Sequence, residues 1–148
     1  MQFASKIVPC LWFDGQGEEA ARFYTGIFPD SRITHANPMT VAFELSGRSF
    51  TALNGGPMFK FNEAVSLQVM CDSQEEVDRY WDALSAGGSE QQCGWLKDRF
   101  GLSWQVVPKG MIPLMTSGDA EKTQRTVAAL MQMKKLDLAA LQRAFDGQ

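Results

Sequence analysis

Two periods of apolar residues alternate along this chain. Residues 6–13 (KIVPCLWF) form a short apolar run closed by Asp14-Gly15, which predicts a strand and then a turn. The period then lengthens: from Glu18, residues Ala20, Ala21, Phe23, Tyr24, Ile27 and Phe28 fall at helical spacings until Pro29-Asp30 ends the pattern. Short strands fill residues 32–53, divided by Asn37-Pro38 and Ser46-Gly47 and closed by Asn54-Gly55-Gly56-Pro57. The first half reads β-α-β-β-β.

The second half repeats that order. Residues 65–71 (VSLQVMC) predict a strand, and residues 74–86 a helix with Val77, Tyr80, Trp81 and Leu84 on one stripe, ended by Gly87-Gly88. Strands are expected at 91–95, 95–98 and 102–107, with Phe100-Gly101 as a turn and Pro108 as a stop. Glu19, Arg22, Phe23 and Tyr24 recur as Glu76, Arg79, Tyr80 and Trp81 at one constant offset, at the same point of both βα units. A structural duplication accounts for this. After Pro113 helix formers dominate, with an N-cap offered in residues 116–119 and a second cap at Asp137 ahead of Leu138, Leu141 and Phe145.

The expected fold class is therefore α+β: a first βαβββ module at 6–57, a second at 63–108 and a helical tail at 116–148, within a single domain. A length of 148 residues suits one domain of about 100–200 residues. Hydrophobic residues at 45%, with ten Phe and four Trp, describe a packed protein. The 14 basic and 17 acidic side chains are scattered and sum to −3, which disfavours a broad nucleic-acid footprint. The first apolar stretch is too short for a membrane span of about 20 residues and lacks a signal-peptide layout, so a cytoplasmic location is expected. Cysteines at 10, 71 and 93 have unrelated spacing, which argues against a disulfide framework. With His35 as the single histidine, finger-type and multi-histidine zinc sites are excluded.

Several segments carry a family resemblance. Pro9-Cys10-Leu11-Trp12-Phe13-Asp14 with residues 18–24 (EEAARFY), Ala52-Leu53-Asn54-Gly55-Gly56-Pro57, Glu75-Glu76-Val77-Asp78 and residues 93–105 (CGWLKDRFGLSWQ) closely resemble the PhnB-like branch of the glyoxalase/bleomycin-resistance/dioxygenase (vicinal oxygen chelate) superfamily. The resemblance runs from about residue 6 to 145. It implies paired βαβββ modules whose curled sheets enclose a ligand cavity, and a homodimer, an assembly that the apolar terminal helices also favour. Proteins of this branch are often labelled 3-demethylubiquinone-9 3-methyltransferases. The common methyltransferase needs a Gly-rich loop leading from a strand into a helix N-terminus. Gly55-Gly56 is followed by Pro57 and Gly87-Gly88 follows a helix, so that activity is disfavoured.

In the superfamily's enzymes a divalent metal is held from the inward faces of the first, fourth, fifth and eighth strands. The resemblance puts these positions at Ile7 or Pro9, Phe50 or Ala52, Ser66, and Gln105. Gln105 alone offers a ligand, and one carboxamide oxygen retains a divalent metal poorly, so neither metal nor cofactor is expected.

Strand alternation puts Ser66, Gln68 and Met70 on one face, and Ser103, Gln105 and Val107 on another. Asn54, Ser66, Gln68 and Gln105 then form a polar ring for a ligand, unless their amides serve backbone groups at sheet ends. Cys93 is either a nucleophile near Lys97 or, as cysteine more commonly is, a small buried hydrophobe. Trp95 is a candidate aromatic wall. Phe59 and Phe61, two apart in the connector, are candidates to cover a cavity or a partner, whereas Lys97-Asp98-Arg99 reads as a solvated hairpin tip with a local ion pair. The leading expectation is a small-molecule-binding protein, or an enzyme without a strongly held metal. Its competitors are a metal-dependent isomerase, lyase or dioxygenase of the superfamily, and a drug-sequestering protein of the bleomycin-resistance kind. No catalytic residue is assigned.

Overall fold

The computed structural model describes residues 5–148, which form two compact units, one through Phe61 and one over Asn62–Gln148. In the first, β1 (Cys10–Phe13), α1 (Gly17–Ile27), β2 (Arg32–Ala36), β3 (Thr40–Leu45) and β4 (Arg48–Asn54) build a four-stranded sheet in the order β1-β4-β3-β2. In the second, β5 (Ser66–Cys71), α2 (Gln74–Ser85), β6 (Ser89–Glu90), β7 (Trp95–Lys97) and β8 (Ser103–Pro108) repeat it as β5-β8-β7-β6. In each sheet the first strand pairs in parallel with the last, β1 with β4 and β5 with β8. The repeated sequence motif thus marks two copies of one topology. Two pairs of equivalent helix positions agree in burial: Tyr24 and Trp81 are buried, as are Ala20 and Val77.

Each helix covers one face of its own sheet. Tyr24 of α1 stacks on Phe43 and Phe43 on its cross-strand partner Phe50, with ring centroids 6.3 and 5.5 Å apart. Val77, Tyr80, Trp81 and Leu84 of α2 are buried, as are Val69, Cys71, Leu96, Trp104 and Val106 on the strands beneath. The Ser73 hydroxyl caps α2 by accepting from the Glu76 amide, and the Glu76 carboxylate accepts from the Asp72 amide.

Three expectations need correction. The first strand begins at Cys10, not at residue 6. Pro9 has no N–H for the ladder, although its carbonyl accepts from Thr51, and Ile7 is 86% exposed. No strand covers 91–95, because Cys93 and Gly94 take positive φ angles of 64° and 82°, which an extended strand does not accommodate. Their amides instead donate to the carbonyls of Met133 and Lys134. A short helix, α3 (Met111–Met115), precedes the tail and holds Pro113 in its first turn, where a helix has no intrahelical partner for the missing N–H. Finally, Phe50 and Ala52 pack toward α1, so the fourth-strand positions facing the other way are Ser49, Thr51 and Leu53.

The tail forms α4 (Ala120–Leu130) and α5 (Leu138–Asp146), capped by Asp119 and Asp137 as expected. Gln74 joins it to the second unit: its amide N–H donates to the Leu136 carbonyl and its oxygen accepts from the Leu138 amide, both at 2.9 Å. Arg125 donates to the carbonyls of Ala144 and Phe145 near the end of α5.

Candidate functional site

The Asn54-Gly55-Gly56 segment serves architecture. Asn54 accepts from the Gly17 amide at the start of α1 (2.8 Å) and donates to the Pro38 carbonyl (3.0 Å), so its amide is engaged at both ends. A Cβ on Gly55 would stand 2.4 Å from the Trp12 ring, and the Trp12 indole N–H donates to the Gly56 carbonyl at 2.8 Å. These glycines let an indole lie flat on backbone, a different duty from cradling a nucleotide. Phe59 and Phe61 pack edge-on against Trp12 and Phe13, at 4.8 and 5.3 Å between centroids. Phe59 remains 58% exposed.

The second sheet presents a different surface on the side away from α2. Registered partners in a sheet share a face. Ser66, Ser103 and Lys97 therefore form one cross-strand row, and Gln68, Gln105 and Trp95 the next, with Met70 and Val107 beyond. Gln105 donates a side-chain N–H to the Ser66 hydroxyl at 2.8 Å. Gln68 is exposed, Gln105, Ser66 and Trp95 are half-buried, and Ser103 is fully buried. The Ser103 hydroxyl has no hydrogen-bond partner, an exception among buried polar groups. Of the eight residues singled out from sequence, the structure brings together Ser66, Gln68, Trp95 and Gln105.

Cys93 lies apart from that face, in the loop that receives the backbone of residues 133–134. Its thiol is 3.7 Å from the Met131 sulfur. Lys97 is paired with Glu63 and so has another partner than this cysteine. Glu63 is held below the usual carboxylate range, chiefly by its hydrogen bond with Lys97.

The expected solvated tip at Lys97-Asp98-Arg99 is a correction as well. Asp98 is 2% exposed; one carboxylate oxygen accepts from the Phe100 and Leu102 amides and the other from the Trp104 indole at 2.9 Å. Arg99 lies over the Phe100 ring. Lys97 and Asp98 were missed as organising residues because the sequence showed only a charge run. The signal was the Trp95/Lys97 alternation, which puts Lys97 on the face of Gln105.

The donor set does not fit the divalent metal that related enzymes use. The face offers a neutral carboxamide already donating to a serine hydroxyl, and neutral amide and hydroxyl oxygens hold such ions weakly without carboxylate or imidazole. Among the described residues no three His, Cys, Asp or Glu side chains cluster for a metal ion.

Two βαβββ units, each with one helix-covered face, define a glyoxalase-like fold. The family model described as 3-demethylubiquinone-9 3-methyltransferase matches residues 5–107, and the chain belongs to that family, whose solved members include PhnB. The PhnB protein from Bacillus cereus is 30% identical over 70% of this chain and 99% of its own, with a TM-score of 0.64. A protein from Pseudomonas aeruginosa is 24% identical, covering 72% and 98%, with a TM-score of 0.58. The fosfomycin resistance protein FosX from Listeria monocytogenes, solved with Mn(II) and sulfate, shares the fold at 13% identity, covering 85% and 99%, with a TM-score of 0.55. No curated protein matches.

Proposed function

We propose that this chain binds a small organic molecule on the face of its second sheet carrying Ser66, Gln68, Trp95 and Gln105, without a tightly held metal. The observation behind this reading is the Gln105–Ser66 hydrogen bond on the face opposite α2, beside a buried hydroxyl that lacks a partner. Amides and hydroxyls set among Trp95, Met70 and Val107 suit a ligand with an apolar body and a few polar atoms. The family's methyltransferase label draws no support from the glycine pairs: Gly55 and Gly56 hold Trp12, and a Cβ on Gly88 would meet the Lys97 carbonyl oxygen at 2.0 Å. The protein acts as a homodimer, a reading supported by its family. The three free cysteines favour the cytoplasm. Among the described residues no helix is long and apolar enough to cross a membrane.

Mapping amide and indole chemical shifts during titration with small-molecule fragments tests this. Hits should perturb the Trp95 indole and the Gln68 and Gln105 side-chain amides; perturbations confined to Cys93 would move the site to the thiol.

A further inference from the structure

The Ser66–Ser103–Lys97 row has a surplus of hydrogen-bond donors. Ser66 already accepts from Gln105, which leaves its own O–H to donate. Ser103 offers a second O–H, buried and unpartnered. Lys97 supplies an ammonium whose present partner is Glu63, from the segment that leads into β5. That partner is more than half exposed, while the Lys97 side chain is 31% exposed. An exposed carboxylate is therefore seated on a less exposed cation beside two hydroxyls with protons to give. Such a carboxylate is held weakly enough for a better-placed anion to replace it, because exposed ion pairs are worth little.

We infer that the second sheet binds the carboxylate of a small organic acid, with Glu63 occupying Lys97 until that acid displaces it. Lys97 then donates to one carboxylate oxygen and the serine hydroxyls to the other. A single positive charge on this face suits a monoanion, which favours a carboxylate over a phosphate dianion. Trp95, one row away, supplies an apolar wall for the rest of the molecule. The inference rests on the proposed site and adds the charge class of its ligand.

The test uses the full-length protein and two probes of the same shape, benzoate and benzamide, followed through the Trp95 indole signal. Benzoate should bind roughly tenfold tighter than benzamide, the scale of one charge-assisted hydrogen bond. Lys97→Met should remove that preference. Glu63→Gln should tighten benzoate several-fold, since the competitor loses its charge, and leave benzamide unchanged. Equal binding of the two probes, or an equal effect of Lys97→Met on both, would overturn the carboxylate inference while leaving the site itself standing. Weaker benzoate binding in Glu63→Gln would show that Glu63 contributes to the site instead of filling it, and would also overturn the inference. Failure of both probes to perturb Trp95 would remove the site and the inference together.

Discussion

Gln105 and Ser66 meet at 2.8 Å across the parallel pair β5 and β8, on the sheet face that α2 leaves uncovered. The register that pairs Ser66 with Ser103 and Gln68 with Gln105 also turns Val69, Cys71, Trp104 and Val106 the other way, into the core. One alternation thus separates the face packed under α2 from the face that carries the two glutamines. The same strands hold the unit together and display its chemistry.

Asp98 is the first test of the architecture beneath that face. Its carboxylate takes three donors while buried, so Asp98→Ala removes the acceptor of two backbone amides and an indole N–H. Urea unfolding should show a loss of roughly 2–5 kcal/mol, the range for breaking a buried hydrogen-bond network. A loss below about 0.5 kcal/mol, the usual effect of a surface change, would mean the turn has another support.

Two glycines separate a soft contact from a hard one. A Cβ at Gly55 meets the Trp12 ring, which can rotate away at the expense of its bond to Gly56, whereas at Gly88 it meets the Lys97 carbonyl at 2.0 Å. Gly55→Ala should cost about 1–3 kcal/mol, as overpacking commonly does, and Gly88→Ala more. Thermal unfolding would report the order, and a reversed order contradicts the packing described.

Burial, assisted by Glu76 and Asp72, raises the Cys71 thiol from its ordinary 9.0 to about 11. The folded protein thus favours the neutral thiol. This contribution to stability is complete below pH 9.0 and is lost as pH rises through about 11. Alkylation at pH 8 should label Cys71 only after unfolding, whereas Cys10 is exposed. Labelling of native Cys71 at the rate of Cys10 would refute the burial.

The tail is built into the second unit through Gln74, which holds Leu136 and Leu138, and through Cys93 and Gly94, which hold the 133–134 backbone. Sedimentation of the full chain should give about twice 16.4 kDa. Removing residues 116–148 should impair folding or assembly; a stable, soluble truncated dimer would show the tail to be dispensable.

Much of this fold was legible as pattern. Period changes located both helices, and the recurrence of Glu19, Arg22, Phe23 and Tyr24 as Glu76, Arg79, Tyr80 and Trp81 coincides with two sheets of one topology. Positive φ at Cys93 was not legible, because cysteine is not a residue that announces a left-handed turn. The face of Phe50 and Ala52 was also missed, since β4 is buried or half-buried on both sides beyond Arg48 and a one-residue slip exchanges its faces. In the candidate site, alternation was enough to group Ser66, Gln68 and Gln105. Asn54 was drawn in by its amide alone, and that amide caps α1. Nothing in the local sequence marked Glu63 as the partner of Lys97, because that contact depends on how the connector meets the β7 edge.

The central claim is that ligands bind on the Gln68–Gln105–Trp95 row, and the most direct measurement is the affinity of Gln68→Leu and Gln105→Leu, beside the parent protein, for a small-molecule fragment that perturbs both side-chain amides. Apolar side chains of similar volume should leave the thermal midpoint nearly unchanged. Each should weaken binding by roughly 1–3 kcal/mol through the lost hydrogen bond and the ligand atom left unpaired. Unchanged affinity in both variants, with binding abolished by Cys93→Ser, would contradict the account and place the site at the thiol.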